Sequence, residues 1–358
     1  MGAATRTPWW AWAWPALAWV ILLIAVAVGA TGVIAAAAAI TLIGTVFAAV
    51  YHAEVIAHRV GEPFGTLILA VAVTVIEVAL IFSVMLGVAG KAGLARDTVF
   101  AAVMIVCNGI VGLCLLAGGV RYREQGFQVQ GASAALAVLA ALTTLTLVLP
   151  NFTTTAVGPV FSTSQLIFAA VVSLVLYGSF IFVQTIRHRD YFLPIEGNEE
   201  THAPPPSLRT ALASTGLLLA TLVAVVGLAK ALTPTVEMAI EQLGAPKAVV
   251  GIVIAGLVLL PEGLAAFRAA RANRLQTSLN LALGSALASI GLTIPAVAAV
   301  SIALGQSLEL GLNTKDEVLL ALTLLVGVIT LGTGRTTVLQ GIVHLVIFAA
   351  FLFFAVVP

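Results

Sequence analysis

The sequence predicts an all-α protein that crosses a membrane about eleven times. Apolar residues make up 61% of the 358 residues, charged residues only 9%, and the mean hydropathy is +1.15. A soluble chain carries roughly a quarter charged residues. A run of about 20 apolar residues is long enough to cross the hydrocarbon core of a bilayer as a helix. The composition therefore indicates a polytopic protein with the lipid bilayer as its surroundings.

Eleven apolar runs, bounded by charged or Gly/Pro-rich breaks, are the candidate transmembrane spans. They lie near residues 12–29, 31–51, 65–89, 97–118, 131–150, 163–186, 210–231, 248–267, 276–303, 316–331 and 336–357. All five tryptophans lie between Trp9 and Trp19, and Trp favours the membrane interface. We therefore expect residues 1–30 to form an extra N-terminal transmembrane helix rather than a cleaved signal peptide. The net charge of +1 gives no reason to expect a nucleic acid partner.

One long polar segment, residues 187–209, interrupts the apolar pattern. It contains four acids and three consecutive prolines, which is typical of a solvated linker. It divides the chain into residues 31–186 and 210–358. If the N-terminus is cytoplasmic, eleven Arg residues lie inside and five Lys or Arg residues lie outside. By the positive-inside rule, this predicts a multi-pass protein of the inner (plasma) membrane, with the linker cytoplasmic and the C-terminus outside.

The two halves share an internal pattern. Glu54 stands seven residues before Gly61, which opens Gly-Glu-Pro, and Glu237 stands seven residues before Gly244, which opens Gly-Ala-Pro. Each Gly-x-Pro leads into an apolar span with a single acid. Because the first copy begins inside and the second begins outside, we expect two five-helix repeats of inverted topology, a common architecture of secondary transporters.

The two acids inside these spans are Glu77 and Glu262. A charged side chain in the hydrocarbon core costs about 2.5–3.5 kcal/mol on insertion scales, so such residues are usually functional. Burial disfavours the ionised form of a carboxyl group, and a bound cation favours it. Two such carboxylates are therefore candidates for binding protons and a metal cation in competition. No separate cofactor is expected.

Ca²⁺ takes 6–8 oxygen ligands, and two carboxylates supply up to four of them. Hydroxyl, amide and backbone oxygens near the two acids are candidates for the rest. Thr74 lies one turn before Glu77, and Pro261 should release a backbone carbonyl beside Glu262. The next span of each half adds a further set of candidates, for which ordinary helix packing is the alternative role: Asn108, Ser285 and Ser289.

A smaller group of polar residues, Glu54, His58 and Glu62, follows the second span at the predicted cytoplasmic side. His58 between two acids is a candidate gate or pH sensor, because histidine titrates near physiological pH. Each of the other histidines, including His344 in the last span, is expected to have a structural role. The sequence shows no nucleophile elbow, P-loop or Cys/His metal cluster, so no enzymatic activity is expected.

Two segments carry a family resemblance. HAEVIAHRVGEPFGTLILAVAVTVIEVALI and VLLPEGLAAFRAARANRLQTSLNLALGSALASIGLTIP resemble the two alpha repeats of the cation/Ca²⁺ exchanger superfamily, and most closely its bacterial Ca²⁺/H⁺ antiporter (ChaA-like) branch. The resemblance implies ten core helices in two inverted halves after one extra helix. It also implies cation binding by Glu77 and Glu262, with a second patch at Asn108-Gly109 and Gly284-Ser285.

The repeats depart from the vacuolar exchangers, which carry Gly-Asn before the repeat glutamate. Here Val75-Ile76 and Leu260-Pro261 occupy those places, so the amide ligand is absent and ion selectivity stays open. The sequence thus predicts exchange of Ca²⁺, or of Na⁺ or K⁺, for protons by alternating access. A Na⁺/Ca²⁺ exchanger and a monovalent cation/proton antiporter are the alternatives. A cation channel is disfavoured because the acids are paired within one chain.

Overall fold

The computed structural model describes residues 7–61, 64–85, 92–194, 205–242, 246 and 248–357. These residues are helical almost throughout. The α-helices are α1 Trp9–Val28, α2 Gly32–Val60, α3 Phe64–Met85, α4 Leu94–Met104, α5 Val111–Tyr122, α6 Val129–Thr143, α7 Thr163–Phe182, α8 Leu208–Gln242, α9 Ala248–Arg271, α10 Leu275–Leu304, α11 Thr314–Leu331 and α12 Val338–Val356. Two short strands, β1 Gln125–Gly126 and β2 Arg335–Thr336, form an antiparallel pair.

Several helices contain or end in a turn of different pitch. A π-helical turn, Ile105–Ile110, joins α4 to α5, so that both form one span from Leu94 to Tyr122. Two further π turns, Thr144–Val148 and Val183–Arg187, follow α6 and α7. Short 3₁₀ helices come next, at Leu149–Phe152 and Arg189–Phe192. π turns are rare in proteins, and many of those that occur lie at functional sites. The turn within the α4–α5 span is therefore of particular interest.

The prediction of an all-helical membrane protein is confirmed. With α4 and α5 counted as one span, the described residues contain eleven helices, of which nine are long and apolar enough to cross a membrane. Of the other two, α3 contains a shorter apolar stretch, Leu67–Phe82, and α11 carries three charged residues in its first turn.

Two spans were predicted too short. The second span continues nine residues beyond 51, to Val60, and the seventh continues from 231 to Gln242. The charged residues taken as ends of these spans lie on the helices themselves, because a helix satisfies its own backbone hydrogen bonds as it leaves the apolar layer. The α1–α2 boundary is confirmed: Gly29 has a φ of 87°, which a residue with a Cβ rarely adopts, and it ends α1.

Helix contacts divide the chain into two packing units, and each unit takes helices from both sides of the linker. Unit 1 comprises α1, α2, α3 and α8. In this unit, Trp14 of α1 packs directly over Gly44 of α2, where an added Cβ would overlap the indole ring. The buried ring of His52 in α2 also makes hydrogen bonds to α1 and α8.

Unit 2 comprises α4 to α7, α9 to α12 and both strands. α10 packs against α4, α6, α7 and α9, and α12 packs against α5. Glycines allow the closest approaches: an added Cβ at Gly341 of α12 would lie 2.5 Å from the backbone nitrogen of Leu116 in α5. Small residues have this role in membrane proteins because the backbones can then meet in van der Waals contact. Cys107 and Cys114 are buried free thiols in this unit.

Candidate functional site

The predicted acid of the first half lies in unit 1. Glu77 is 2% exposed within α3, and Thr74, one turn earlier on the same helix, is also buried. Residues three apart on a helix share a face, so the Thr74 hydroxyl and the Glu77 carboxyl group belong to the same side of α3. α3 packs against α2 and α8. The structure thus places a carboxyl group and a hydroxyl together within a helix of mostly apolar side chains.

The predicted acid of the second half lies in unit 2. Both carboxyl oxygens of Glu262 are buried, although the residue as a whole is only half-buried. α9 continues through the preceding Pro261. Because proline has no N–H group, the carbonyl of Leu257 loses its helical donor one turn before. This carbonyl oxygen is the backbone candidate that the sequence predicted beside Glu262.

α9 lies close to the α4–α5 span at two glycines. An added Cβ at Gly251 would lie 2.9 Å from the backbone of Asp97 at the start of α4. An added Cβ at Gly263 would lie 3.0 Å from Cδ1 of Ile110, the last residue of the π turn. Since Gly263 follows Glu262 directly, the π turn packs against the segment that carries the carboxyl group.

Two hydroxyls of α10 complete the predicted residues of the second half. Ser289 is buried and Ser285 is half-buried, and their spacing of four residues places them on one face of the helix. α10 contacts both α9 and the π turn. The three elements that carry Glu262, Ser285, Ser289 and Asn108 therefore pack against one another within unit 2.

Asn108 lies within the π turn and is fully buried. Its amide nitrogen donates to Oγ1 of Thr323 in α11 at 2.8 Å, and its Oδ1 lies 3.1 Å from Nδ1 of His344 in α12. Nothing in the sequence marks Thr323 as a site residue, and only a structural role is expected from the sequence for His344. Their separations from Asn108, 215 and 236 residues, leave no local pattern that links them.

The third predicted group lies at the end of α2. Glu54 and His58 are exposed and one turn apart, while Glu62 lies outside the described residues. Arg59 donates to the carbonyl of Pro206 at 3.2 Å and so links the end of α2 to the segment before α8. The exposure of Glu54 and His58 fits groups that contact solvent rather than a buried site.

The described residues contain no cluster of three His, Cys, Asp or Glu side chains that would hold a metal ion by themselves. Glu77 and Thr74 belong to unit 1, whereas Glu262, Ser285, Ser289 and Asn108 belong to unit 2.

Comparison with known proteins identifies relatives along the whole chain. The chain is 54% identical to a putative ionic transporter, y4hA, of Sinorhizobium fredii over 99% of this chain and 98% of that protein. It is 36% identical to the sodium-potassium/proton antiporter ChaA of Escherichia coli over 88% and 86%. Among solved structures, the Ca²⁺/H⁺ antiporter protein YfkE has the same fold, with a TM-score of 0.72 at 17% identity, covering 98% of each chain.

The family model described as sodium/calcium exchanger protein matches residues 30–186 and 213–357. These two matched segments correspond closely to the two halves on either side of the linker, and each contains one of the buried glutamates. The matched segments and the 36% and 54% identities lead to one conclusion: the chain belongs to the sodium/calcium exchanger family.

Proposed function

We propose that this protein is a secondary active transporter that exchanges a metal cation for protons by alternating access, with Ca²⁺ as the first candidate cation. The observation that carries the proposal is the burial of one glutamate carboxyl group within an apolar span of each half. Glu77 is 2% exposed, and both carboxyl oxygens of Glu262 are buried. Such residues are costly in a membrane and are typically kept for the transport of ions or protons.

The chemistry of exchange follows from the two charge states of these groups. A buried carboxyl group is stable either with a proton or with a cation beside it, and it is unstable as a free anion. The empty, ionised carrier is therefore the state with the highest free energy. Reorientation of the loaded or protonated carrier alone would couple the two fluxes.

The ligand set proposed for the cation combines both halves. Glu77 and Glu262 supply the carboxylates, Thr74, Ser285 and Ser289 supply hydroxyls, and the Leu257 carbonyl is an additional oxygen. Asn108 belongs to the same proposed set, but its Oδ1 already accepts a hydrogen bond from His344 in the described state. Direct ligation by Asn108 would require that hydrogen bond to break. Hydroxyl and carbonyl oxygens together with carboxylates suit a hard cation such as Ca²⁺.

Two inverted five-helix repeats, within 31–186 and 210–358, are the architecture we propose for this exchange, with α1 as the extra helix. Two antiparallel backbone pairings in unit 2 support it. β1, before the fourth helix of the first repeat, pairs with β2, before the fifth helix of the second. Val160, before the fifth helix of the first repeat, pairs with Glu309, before the fourth helix of the second. If the first and second repeats are interchanged, the positions joined by one pairing become the positions joined by the other.

The N-terminal caps of the fifth helices agree with this assignment. Ser162 and Gln165 form a capping box at the start of α7, and Thr337 and Gln340 form a capping box at the start of α12. In such a box, two side chains satisfy backbone N–H groups reciprocally. In alternating access by inverted repeats, the two halves exchange conformations. Matching N-terminal caps on the two fifth helices are consistent with such equivalent halves.

We place the protein in the plasma (inner) membrane, with the N-terminus and the 187–209 linker in the cytoplasm and the C-terminus outside. The excess of Arg residues on that side supports this orientation. In this orientation Glu54 and His58 lie at the cytoplasmic mouth, where we propose that they act, with Glu62, as a gate or pH sensor.

The identity of the cation separates the alternatives within transport. The E. coli relative is a sodium-potassium/proton antiporter, and the structurally similar YfkE is a Ca²⁺/H⁺ antiporter protein. Both support proton exchange and favour different cations. We therefore propose Ca²⁺ with Na⁺ or K⁺ as additional or alternative substrates. A Na⁺/Ca²⁺ exchanger would need further Na⁺ ligands, and few polar side chains precede or follow Glu77 on α3.

Transport by purified protein in proteoliposomes tests the function directly. A pH gradient is imposed, and Ca²⁺, Na⁺, K⁺ or Mg²⁺ is added separately while internal pH is recorded. We expect Ca²⁺ to collapse the gradient at zero membrane potential in Na⁺- and K⁺-free buffer. Ca²⁺ flux without proton movement would overturn the antiport proposal, and flux that depends on membrane potential alone would indicate a channel.

A further inference from the structure

Four buried side chains from three helical spans meet inside unit 2. They are Met104 of α4, Asn108 of the π turn, Thr323 of α11 and His344 of α12, and none is more than 1% exposed. Besides the contacts of Asn108 with Thr323 and His344, its amide nitrogen lies 3.8 Å from the sulfur of Met104. The Thr323 hydroxyl lies 2.7 Å from the Leu319 carbonyl and 3.4 Å from the same sulfur.

These contacts determine the orientation of the Asn108 amide. The Thr323 hydroxyl has one hydrogen, and the Leu319 carbonyl at 2.7 Å accepts it. Toward Asn108 the hydroxyl oxygen can then only accept, and a thioether sulfur has no hydrogen to donate. The amide NH₂ group therefore faces Thr323 and Met104, and Oδ1 faces His344.

The orientation of Asn108 in turn determines the tautomer of His344. Because Oδ1 of Asn108 only accepts, Nδ1 of the imidazole carries the hydrogen of the 3.1 Å contact. The other ring nitrogen, Nε2, is buried without a hydrogen-bond donor among the described residues. This is the pattern of a neutral imidazole that acts as a donor through Nδ1.

The His344 region and the Glu262 segment both contact the C-terminal part of the same π turn or the residues directly after it. An added Cβ at Gly112 would lie 2.9 Å from Cβ of His344, and an added Cβ at Gly109 would lie 3.3 Å from the ring of Phe348. Ile110 packs against Gly263, the neighbour of Glu262. The turn thus contacts both α12 and the carboxylate-bearing part of α9.

We propose that His344 is a positioning residue for Glu262, which acts through Asn108 and the π turn. The hydrogen bond from Nδ1 holds the Asn108 amide, and Asn108 is part of the π turn. Ile110 at the end of this turn packs against Gly263, the residue after Glu262 on α9. Thr323 holds the other end of the same amide. The inference deepens the proposed function and rests on it, because it assumes that Glu262 binds the transported cation.

Three variants and one matched control test this role. His344→Leu removes the donor, His344→Asn keeps an N–H donor near the position of Nδ1, and Thr323→Val removes the acceptor for the Asn108 amide. Thr143→Val is the control for Thr323→Val, because each threonine is buried in unit 2 and donates to the carbonyl four residues earlier. Only Thr323 also accepts from Asn108.

Cation affinity is first measured without transport, as the concentration of Ca²⁺ that half-maximally raises the thermal stability of the detergent-purified protein. Separate titrations use Na⁺ and K⁺ as probes. We expect His344→Leu to weaken the binding of the stabilising cation by about tenfold or more, as loss of supporting hydrogen bonds does in metal sites. His344→Asn should restore most of that affinity, and Thr143→Val should match the wild type. The His344→Leu/Thr323→Val double variant should bind more tightly than the product of the single effects predicts, because both changes release one amide.

The same proteins are then assayed for exchange in proteoliposomes. An increased apparent KM in His344→Leu that His344→Asn reverses would support the inference. A His344→Leu variant that is less stable but binds each cation with wild-type affinity would overturn it and leave a purely structural histidine. If His344→Leu aggregates, the inference depends on Thr323→Val compared with Thr143→Val, and equal affinities in that pair would also overturn it. Binding without any cation/proton exchange in the wild type would instead refute the proposed function, since the affinity titrations do not depend on transport.

Discussion

Nε2 of His52 in α2 donates a hydrogen bond to the carbonyl of Ala11 in α1 at 2.9 Å. Because this carbonyl only accepts, Nε2 carries the hydrogen, and Nδ1 accepts from the hydroxyl of Ser214 in α8 at 3.2 Å. One buried ring therefore joins the extra N-terminal helix to the first helix of each predicted repeat.

Replacement of His52 by Leu should destabilise unit 1. It would leave the Ala11 carbonyl and the Ser214 hydroxyl without this partner, and a buried polar group without a partner costs about 1–3 kcal/mol. We expect a lower thermal unfolding temperature for the detergent-purified variant. Ile40→Leu, at an exposed position of the same helix, is the control and should unfold as the wild type does. An unchanged unfolding temperature in His52→Leu would show that α1 is held by apolar packing alone.

Glu77→Gln and Glu262→Gln should each strongly reduce cation/proton exchange. Each variant nearly keeps the side-chain volume and removes one exchangeable proton and one anionic ligand. We expect the exchange rate in proteoliposomes to fall by about tenfold or more for each variant. Glu124→Gln is the matched control, because Glu124 is a half-exposed acid that pairs with Arg335 at the surface. Exchange at the wild-type rate in either buried variant would refute its assignment to the site.

Cation transport should weaken as the pH falls on the side where the cation binds. Ligand carboxyl groups must lose their protons before a metal ion can bind, so acid should raise the apparent KM for the cation. Alkaline pH should lower this KM until both carboxyl groups are ionised. The measurement is initial Ca²⁺ uptake at several external pH values, with Glu124→Gln as the control. A KM that does not change with pH would show that protons and cation do not share ligands.

The predicted cytoplasmic group should modify this pH dependence without abolishing exchange. Glu54 and His58 are exposed and one turn apart, so each is accessible to protons from solvent. We expect His58→Gln to shift the pH of half-maximal exchange on the cytoplasmic side only, while the maximal rate stays near that of the wild type. Tyr191→Phe, in the 3₁₀ helix Arg189–Phe192 of unit 2, serves as a control. An unchanged pH profile in His58→Gln would exclude His58 as a pH sensor.

The predicted orientation can be tested by labelling introduced cysteines. Pro205 in the linker and Val357 at the end of α12 are both exposed. The native Cys107 and Cys114 are buried and should not react with an impermeant maleimide. We expect Pro205→Cys to react only from the cytoplasmic side and Val357→Cys only from outside, in right-side-out and inside-out vesicles. The reverse pattern would overturn the orientation but not the residues of the site.

Much of the helical architecture could be predicted because hydropathy alone identifies long apolar runs. The arrangement of the helices could not. In a soluble helix the apolar stripe marks the buried face, but in a membrane protein both the lipid-facing and the protein-facing surfaces are apolar. In α2, for example, Val46 is fully buried and Ile40 is 62% exposed, although both are aliphatic. Hydropathy therefore gave no indication that α8 joins α1, α2 and α3 in one unit.

For the candidate site too, the sequence identified single residues but not the contacts between helices. Glu77 and Glu262 stand out because an acid in an apolar run is rare, and the burial of their carboxyl groups agrees with that reasoning. Their role in cation binding stays a prediction. The link between Asn108 and His344 could not be predicted, because it joins helices 236 residues apart. The π turn was also missed, since no residue type specifies the one extra residue that such a turn contains.

That extra residue has a consequence for the angular phase of the whole span. Each residue of an α-helix advances the chain by about 100°, whereas a π turn takes in one additional residue for nearly the same rotation. Without it, the side of α5 that bears Gly112 and meets α12 would point elsewhere. In this protein, the one additional residue of the π turn thus decides which surfaces α4 and α5 present to their neighbours.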